Sequence, residues 1–396
     1  MLNETGFKNE IFSVNTFAKQ KGLVDVVVIG AGPAGSICAG EITKKGFNVL
    51  LIEKDAFPGE TNVCAGGIER KIVAEFGLSG LIEKEISIAR YHFPWGEEEY
   101  KVNFVSVKRE VFDSFLAHQA VDAGAQLLIN TVVRDAILEN DCVKLKVKSQ
   151  GGESEIRTKL VVFADGPNTL AHNFGIGFEI RPDTVSESSI FEIEWKNNPL
   201  DGFEYFFSHE ISPWGYGWIF PKKDTLNIGI ICLYSKLEKN ILEYLKNFRS
   251  NLKKPVKEKR ITRFTSALVP LVPARRIYGE RMLVVGDAAG MVDPLSGGGI
   301  SYAIRGGKVA AKVALDVLKE GTFSKVFLSR YQNEWERTED YRSIKKRYHL
   351  SNIFLPLSKI DKNIFSKMVG IRLNKRGTVR KLLYRNKLEQ YMLNVE

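Results

Sequence analysis

Apolar residues along this chain follow two rhythms. VDVVVI at 24–29 is a nearly unbroken β-branched run, the signature of a strand covered on both faces of a parallel sheet. PWGYGWIFPKK at 213–223 instead sets Tyr216, Trp218 and Phe220 two apart, so that on a strand their rings share one face. The first run leads into a helix predicted over 34–45 and a second buried strand over 48–52, which together make a βαβ unit. Short strands are predicted at 87–93 and 99–104, then a helix starting near Arg109 through VFDSFLAHQAVDAG, one strand in AQLLINTVV and a hairpin across SQGGES. KLVVFADG is a further buried strand. Residues 186–233 read as antiparallel strands, 241–249 as a helix, RMLVVGDAAG as a last buried strand, and 300–318 as a long helix.

This order predicts an α/β protein: a Rossmann-type domain with a parallel sheet, an inserted antiparallel-sheet substrate domain and a helical C-terminal segment. The expected division is 24–86, 105–170 and 265–325 for the first domain, 87–104 and 171–264 for the second, and 326–396 for the basic helical end. A chain of 396 residues has the length of about two domains.

The chemistry sits at the strand ends. Gly30, Gly32 and Gly35 complete G-x-G-x-x-G at the first strand-to-helix turn, where Gly30 permits a tight turn, Gly32 lets a pyrophosphate touch backbone and Gly35 lets helix and strand pack closely. Pro33 and Ala34 open the helix whose N-terminus faces the anion. Glu53 ends the second strand, placed to bond a ribose hydroxyl. Asp165-Gly166 and Gly286-Asp287 end two more buried strands, and open α/β sheets bind ligands at that edge.

Three such fingerprints in this order resemble the hydroxylase-type FAD flavoproteins, the group that includes aromatic hydroxylases, flavin halogenases and geranylgeranyl reductases. The resemblance covers about 24–318 and implies FAD, with Arg109, in R-E-V-F-D, reaching its nucleotide portion. It also implies cofactor contacts at Lys54, Cys64, Ala65, Gly66, Gly67, Val133, Pro294, Gly297, Gly298, Gly299 and Ile300. Gly290 stands where aromatic hydroxylases commonly have a histidine, and GDAAG, Pro294 and the triple glycine look like the geranylgeranyl reductase family. The helix beginning at Ile300 aims its positive end at the flavin edge and favours an anionic reduced ring. Pro213-x-x-Tyr216-x-Trp218-x-Phe220-Pro221 matches that family's P-x-x-Y-x-W-x-F-P position for position, and Cys64 in TNVCAGG sits where the family places a cysteine beside the ring. The resemblance thus implies a catalytic set of Tyr216, Trp218, Phe220 and Cys64, acting on an isoprenoid lipid. Two positions depart from the pattern: Ala65 stands at a place often taken by glycine, and Ile231 at the second glycine of the trailing G-x-G that keeps Gly229. They leave open the pocket's shape, and with it ether lipid against a polyprenyl quinone such as menaquinone. Oxygen-using hydroxylases or halogenases and a non-catalytic electron carrier stay as other classes.

Charge adds a partner. The stretch 342–387 holds 14 Lys and Arg against the single acid Asp361, and outside it the net charge of +10 falls to −3. Within this tail Ile353-Phe354-Leu355-Pro356-Leu357 interrupts the basic residues, and Ile360, Ile364, Phe365, Met368 and Val369 follow at helical spacing. A greasy stripe beside lysines favours an anionic membrane surface over nucleic acid, and packing of the stripe on the protein itself is the bland alternative. No window approaches the roughly 20 apolar residues of a membrane span, and the first residues lack a signal peptide's apolar block. The expectation is a cytoplasmic protein, peripheral on the inner face of the cell membrane. The scattered cysteines Cys38, Cys64, Cys142 and Cys232 carry neither metal-ligand nor disulfide spacing, which fits reduced thiols. No second dinucleotide motif and no iron–sulfur cysteine set is visible, so the electron donor, whether reduced nicotinamide, a ferredoxin or another carrier, is not specified.

Overall fold

A computed structural model describes residues 22–253, 256 and 258–373. Two eight-stranded sheets organise it. The first runs Tyr278–Gly279, Met282–Val284, Gly152–Phe163, Val24–Ile29, Val49–Ile52 and Gln126–Leu128 from edge to edge. Its pairings are parallel from Met282–Val284 across to Gln126–Leu128. An antiparallel flap of Val132–Leu138 and Val143–Ser149 joins the outer half of Gly152–Phe163. Val26, Val27, Val28, Leu50, Leu51, Val161 and Val162 lie in its middle without solvent exposure, which is why these strands read as apolar on every position. Helices Pro33–Thr43, Arg109–Asp122 and Ile300–Glu320 pack together beside it. Their approach is close because small residues meet there: a Cβ on Gly307 would fall 2.6 Å from the Ala34 carbonyl oxygen.

The second sheet runs Ile261–Pro270, Val185–Glu194, Thr225–Leu233, Tyr216–Pro221, Phe203–Phe206, Lys84–Phe93, Gly96–Ser106 and Gly67–Glu69. The helix Ile241–Ser250 packs Tyr244, Leu245 and Phe248 against one face of this sheet, and the sheet's opposite face meets Gly297 through Ile231 and Val269.

Three expectations change. AQLLINTVV breaks at Asn130, whose left-handed conformation (φ 49°) ends one strand in the parallel sheet and starts another in the flap. Within 186–233, Phe203–Phe206 is antiparallel to Tyr216–Pro221 but parallel to Lys84–Phe93, so the second sheet is mixed where the segment joins strands laid down much earlier in the chain. Gly67–Glu69 and the whole of Ile261–Pro270 are hydrogen-bonded into the second sheet, so that sheet reaches into both flanks of the division drawn from sequence.

The C-terminal part is helical: Lys325–Arg337, Glu339–Phe354 and Ile364–Leu373, with a short 3₁₀ turn Leu355–Lys359. Its apolar stripe divides. Phe365 and Met368 are buried against Phe207, Trp214 and Leu295, whereas Ile353 and Ile360 are 65% and 87% exposed. The basic stretch from 374 onward lies outside the described residues. Among those described, no helix is long and apolar enough to cross a membrane, and no cluster of His, Cys, Asp or Glu has the makings of a metal site. The four cysteines are unpaired.

Candidate active site

The first strand-to-helix turn is shaped by contacts only glycine permits. Gly30 has φ 99°, and a Cβ there would lie 2.3 Å from the Ala164 carbonyl oxygen; one on Gly35 would lie 1.9 Å from that of Gly30. A Cβ on Gly32 meets nothing within 4 Å, so the turn faces open space where a phosphate needs it. Gly32 caps the helix Pro33–Thr43 without a side-chain bond, leaving the first N–H groups without a side-chain acceptor. Glu53 is buried and already engaged: Oε2 accepts from the Ala31 N–H at 2.9 Å and Oε1 from the Asp55 N–H at 3.1 Å. Burial pushes its pKa up. Lys54 follows Glu53 and donates to Asp55 and Thr61 at the surface, and Val133 lies two residues beyond Thr131, whose N–H donates to the Glu53 carbonyl at 2.9 Å.

The next two strand ends are neighbours of the first. Asp165 Oδ2 accepts from the Leu170 N–H at 2.8 Å, while Oδ1 is buried with no hydrogen-bond partner among the described residues. A ligand hydroxyl would complete it. Burial pushes the Asp165 and Asp287 carboxyls up to about 6, opposed at Asp287 by the Arg109 charge. Gly290 has φ 65° and would place a Cβ 2.2 Å from the Val272 carbonyl oxygen, so a histidine does not fit this backbone. The following loop is tied by the Gly297 N–H donating to the Asp293 carbonyl at 2.9 Å, and by the Arg347 guanidinium on the Asp293 carboxylate. Gly299 then begins the helix Ile300–Glu320, again without a side-chain cap.

Arg109 is buried at the start of its helix, where Nε and Nη2 each donate to Asp113 at 2.8 Å and Nη1 donates to Asn62 Oδ1 at 3.2 Å. The loop that carries Cys64 is held from both sides. Arg263 donates to the carbonyls of Glu60 and Asn62 at 3.2 Å each, and Asn227 Nδ2 to that of Cys64 at 3.3 Å. The Cys64 thiol accepts from the Gly66 N–H at 3.4 Å. Gly66 (φ 77°) turns the chain and Gly67 admits a ring: a Cβ there would sit 2.7 Å from Phe220.

Tyr216, Trp218 and Phe220 share one face, as their spacing demands, and that face looks into the gap between the sheets. Phe220 stacks on Phe203 with centroids 3.6 Å apart, Tyr205 stacks on Tyr91 at 4.9 Å, and Phe207 contacts Tyr216 at 5.4 Å and Phe93 at 5.1 Å. These further rings extend the wall well beyond the motif. The signal for them was available, since Tyr91 and Phe93 alternate, as do Phe203, Tyr205 and Phe207. The wall touches both cofactor-side loops: Phe220 lies against Gly67, and the Tyr216 hydroxyl donates to the Ser296 carbonyl at 2.5 Å. Ile231, the departure from the trailing glycine pattern, fills the space beside Gly297, 2.7 Å from where a Cβ would be. A narrow cleft of about 10 Å³, room for about one water molecule, remains there, lined by Trp214, Tyr216, Ile231, Leu295, Gly297 and Phe365.

The arrangement accommodates a dinucleotide cofactor: a glycine turn and uncapped helix for the pyrophosphate, an orphaned carboxylate oxygen midway, and a glycine loop facing rings at the far end. Comparisons with known proteins agree. A family model described as FAD binding domain matches residues 23–339. Digeranylgeranylglycerophospholipid reductase 1 of Methanopyrus kandleri is 33% identical over 80% of this chain and 87% of its own. The digeranylgeranylglycerophospholipid reductase of Methanocaldococcus jannaschii is 34% identical over 79% and 82%. Among solved structures, a geranylgeranyl bacteriochlorophyll reductase-like protein of Thermoplasma acidophilum superposes with a TM-score of 0.75 at 24% identity, covering 91% of this chain and 99% of its own. A flavin-dependent brominase gives 0.66 at 23% identity over 87% and 94%; at these identities both likenesses speak for the fold alone.

Proposed function

This chain belongs to the geranylgeranyl reductase family of FAD-dependent oxidoreductases, and we propose that it saturates carbon–carbon double bonds in the geranylgeranyl chains of archaeal-type ether lipids. The observation that carries the reading is the aromatic wall itself. Its rings reach both the Cys64 loop and the Ser296–Gly297 loop, so an apolar wall borders the place proposed for the cofactor's reactive end. Relatives named for reduction of a digeranylgeranyl lipid support the same substrate class.

Reduced FAD, when bound, supplies the hydride equivalent. The chain's own residues then have three tasks. The first is to hold a floppy prenyl tail, which the ring faces do by burial without demanding hydrogen bonds. The second is to tolerate tertiary positive charge if protonation leads, and the faces of Trp218 and Phe220 contribute about 1–2 kcal/mol to that in a dry site. The third is to deliver a proton to the second carbon. Tyr216, in that wall, and Cys64, beside it, each carry one. Burial pushes the Tyr216 pKa well up, so its hydroxyl keeps its proton at neutral pH while bonded to the Ser296 carbonyl.

A substrate of this kind lives in a bilayer, so the protein is proposed to work at the inner membrane surface, with basic C-terminal residues against anionic head groups, each near the surface contributing about 1 kcal/mol. The test is lipid mass spectrometry after expression beside an unsaturated ether-lipid pathway. The expected result is added hydrogen at each saturated bond. Unchanged ether lipids with a saturated menaquinone side chain would transfer the reading to a quinone, and oxygen-dependent product formation would move it to the hydroxylases and halogenases.

A further inference from the structure

A polar chain runs beside the aromatic wall, on the same face of the second sheet. The Lys222 ammonium, on a side chain 4% exposed, lies 2.7 Å from Glu192 Oε1. The same carboxylate oxygen accepts from Asn227 Nδ2 at 2.7 Å. Asn227 has no solvent exposure; its Oδ1 accepts from the Trp218 indole N–H at 2.8 Å, and its Nδ2 also reaches the Cys64 carbonyl at 3.3 Å. Both ends of the Asn227 amide are therefore engaged, and only one orientation of it satisfies all three partners. Lys222 is fixed in turn, since Asn198 donates to its carbonyl at 2.7 Å and its N–H donates to the Thr225 carbonyl at 2.8 Å.

Stability alone is a poor reason for this arrangement. A buried ion pair recovers little more than its desolvation cost, and apolar residues of the same volume hold such a layer together as well or better. What the chain does that apolar residues cannot is to join two parts of the site by directional bonds: the indole on the second sheet and the main chain of the loop beside the cofactor. The indole N–H needs that acceptor, because the ring packs on bare backbone at Gly229, where a Cβ would fall 2.2 Å from it, and against Ile190, and neither offers its N–H a polar side chain.

We propose that Asn227, Glu192 and Lys222 are positioning residues, which set the plane of Trp218 and the height of the Cys64 loop relative to each other. The proposal rests on the reductase reading only for its kinetic arm. The first measurement needs no turnover: the FAD-loaded protein is labelled with ¹⁵N at tryptophan, Trp218 is assigned by its loss in W218F, and hydrogen exchange of its indole N–H is followed. Asn227→Leu is expected to speed that exchange by at least about tenfold. Unchanged exchange overturns the proposal.

The kinetic arm is a double-mutant cycle on prenyl-lipid reduction. Asn227→Leu should lower kcat about tenfold in the parent and no more than about twofold in W218F, with KM changed little in either. Equal losses in both backgrounds would mean that Asn227 does not act through Trp218. If Asn227→Leu fails to fold, Asn227→Asp and Glu192→Gln/Asn227→Asp replace it. The single change sets two carboxylates against one lysine, and the pair restores one of each while keeping an acceptor for the indole. Recovery of indole protection in the pair is expected, and no recovery refutes the network. Should the parent reduce no prenyl lipid, the substrate reading falls while the exchange measurement still decides this proposal.

Discussion

Gly229 lies under the indole of Trp218, on the neighbouring strand and in direct register with it: a Cβ added at Gly229 would fall 2.2 Å from Trp218 Cζ2. The absent side chain at one position is the space occupied by the ring at the other. Ile190 closes the same space from the far side, 2.8 Å from that Cβ, so a side chain at Gly229 would press on the indole and on Ile190 at once.

Gly229→Ala should therefore cost about 1–3 kcal/mol by overpacking, read as a lower midpoint of thermal unfolding, while flavin absorbance is retained. Turnover should fall with it, because the displaced ring enters the space proposed for the prenyl chain. A variant as stable and as active as the parent would show that the indole is free to move.

Trp218→Leu keeps an apolar wall but removes the ring face and the indole N–H. It is expected to slow alkene reduction well beyond any change in lipid binding, measured as kcat against the dissociation constant of a non-reducible analogue. Equal turnover would dismiss the ring from catalysis.

The carboxyls of Asp165 and Asp287, pushed up to about 6 by burial against an ordinary value of 3.8, predict how the flavin-free protein responds to pH. Between these values the folded state holds protons that the unfolded state has released, so each group lowers stability as pH rises from about 4 to about 6, by up to about 1.4 kcal/mol per unit of separation. Above that window the penalty is constant. Asp165→Asn and Asp287→Asn should accordingly raise the unfolding midpoint of flavin-free protein at pH 7 and leave it nearly unchanged at pH 4, while weakening FAD retention. A gain of equal size at both pH values would assign it to packing.

Ile353, Leu357 and Ile360 are exposed at the turn that also carries exposed Lys359 and Lys362. Sedimentation with anionic vesicles should weaken as salt rises. Serine at all three apolar positions should weaken it further, with no effect on flavin content. Binding that ignores both salt and these substitutions would place the contact elsewhere.

The glycine turn, the three strand ends and the one-sided alternation of Tyr216, Trp218 and Phe220 were legible in the chain because each is local: a backbone angle, a run of buried residues, a period of two. Sequence also gave Arg109 its place at a helix start, although its partner Asp113 went unremarked, one helical turn further on. The Asn227, Glu192 and Lys222 chain was out of reach. Nothing in the order of residues tells Glu192 that Asn227 will lie directly across one strand pairing from it and Lys222 across two, and a lone polar residue in an apolar strand looks like noise until its partners are known.

The same division holds for the tail. Local spacing determined a helix with an apolar stripe, since periodicity depends only on the backbone's turn per residue. Which part of the stripe met protein was decided by the tertiary structure. Phe365 and Met368 closed over Trp214 and Phe207, while Ile353 and Ile360 remained outside, because burial depends on what other surface happens to arrive, and that surface is assembled from segments far away in the chain.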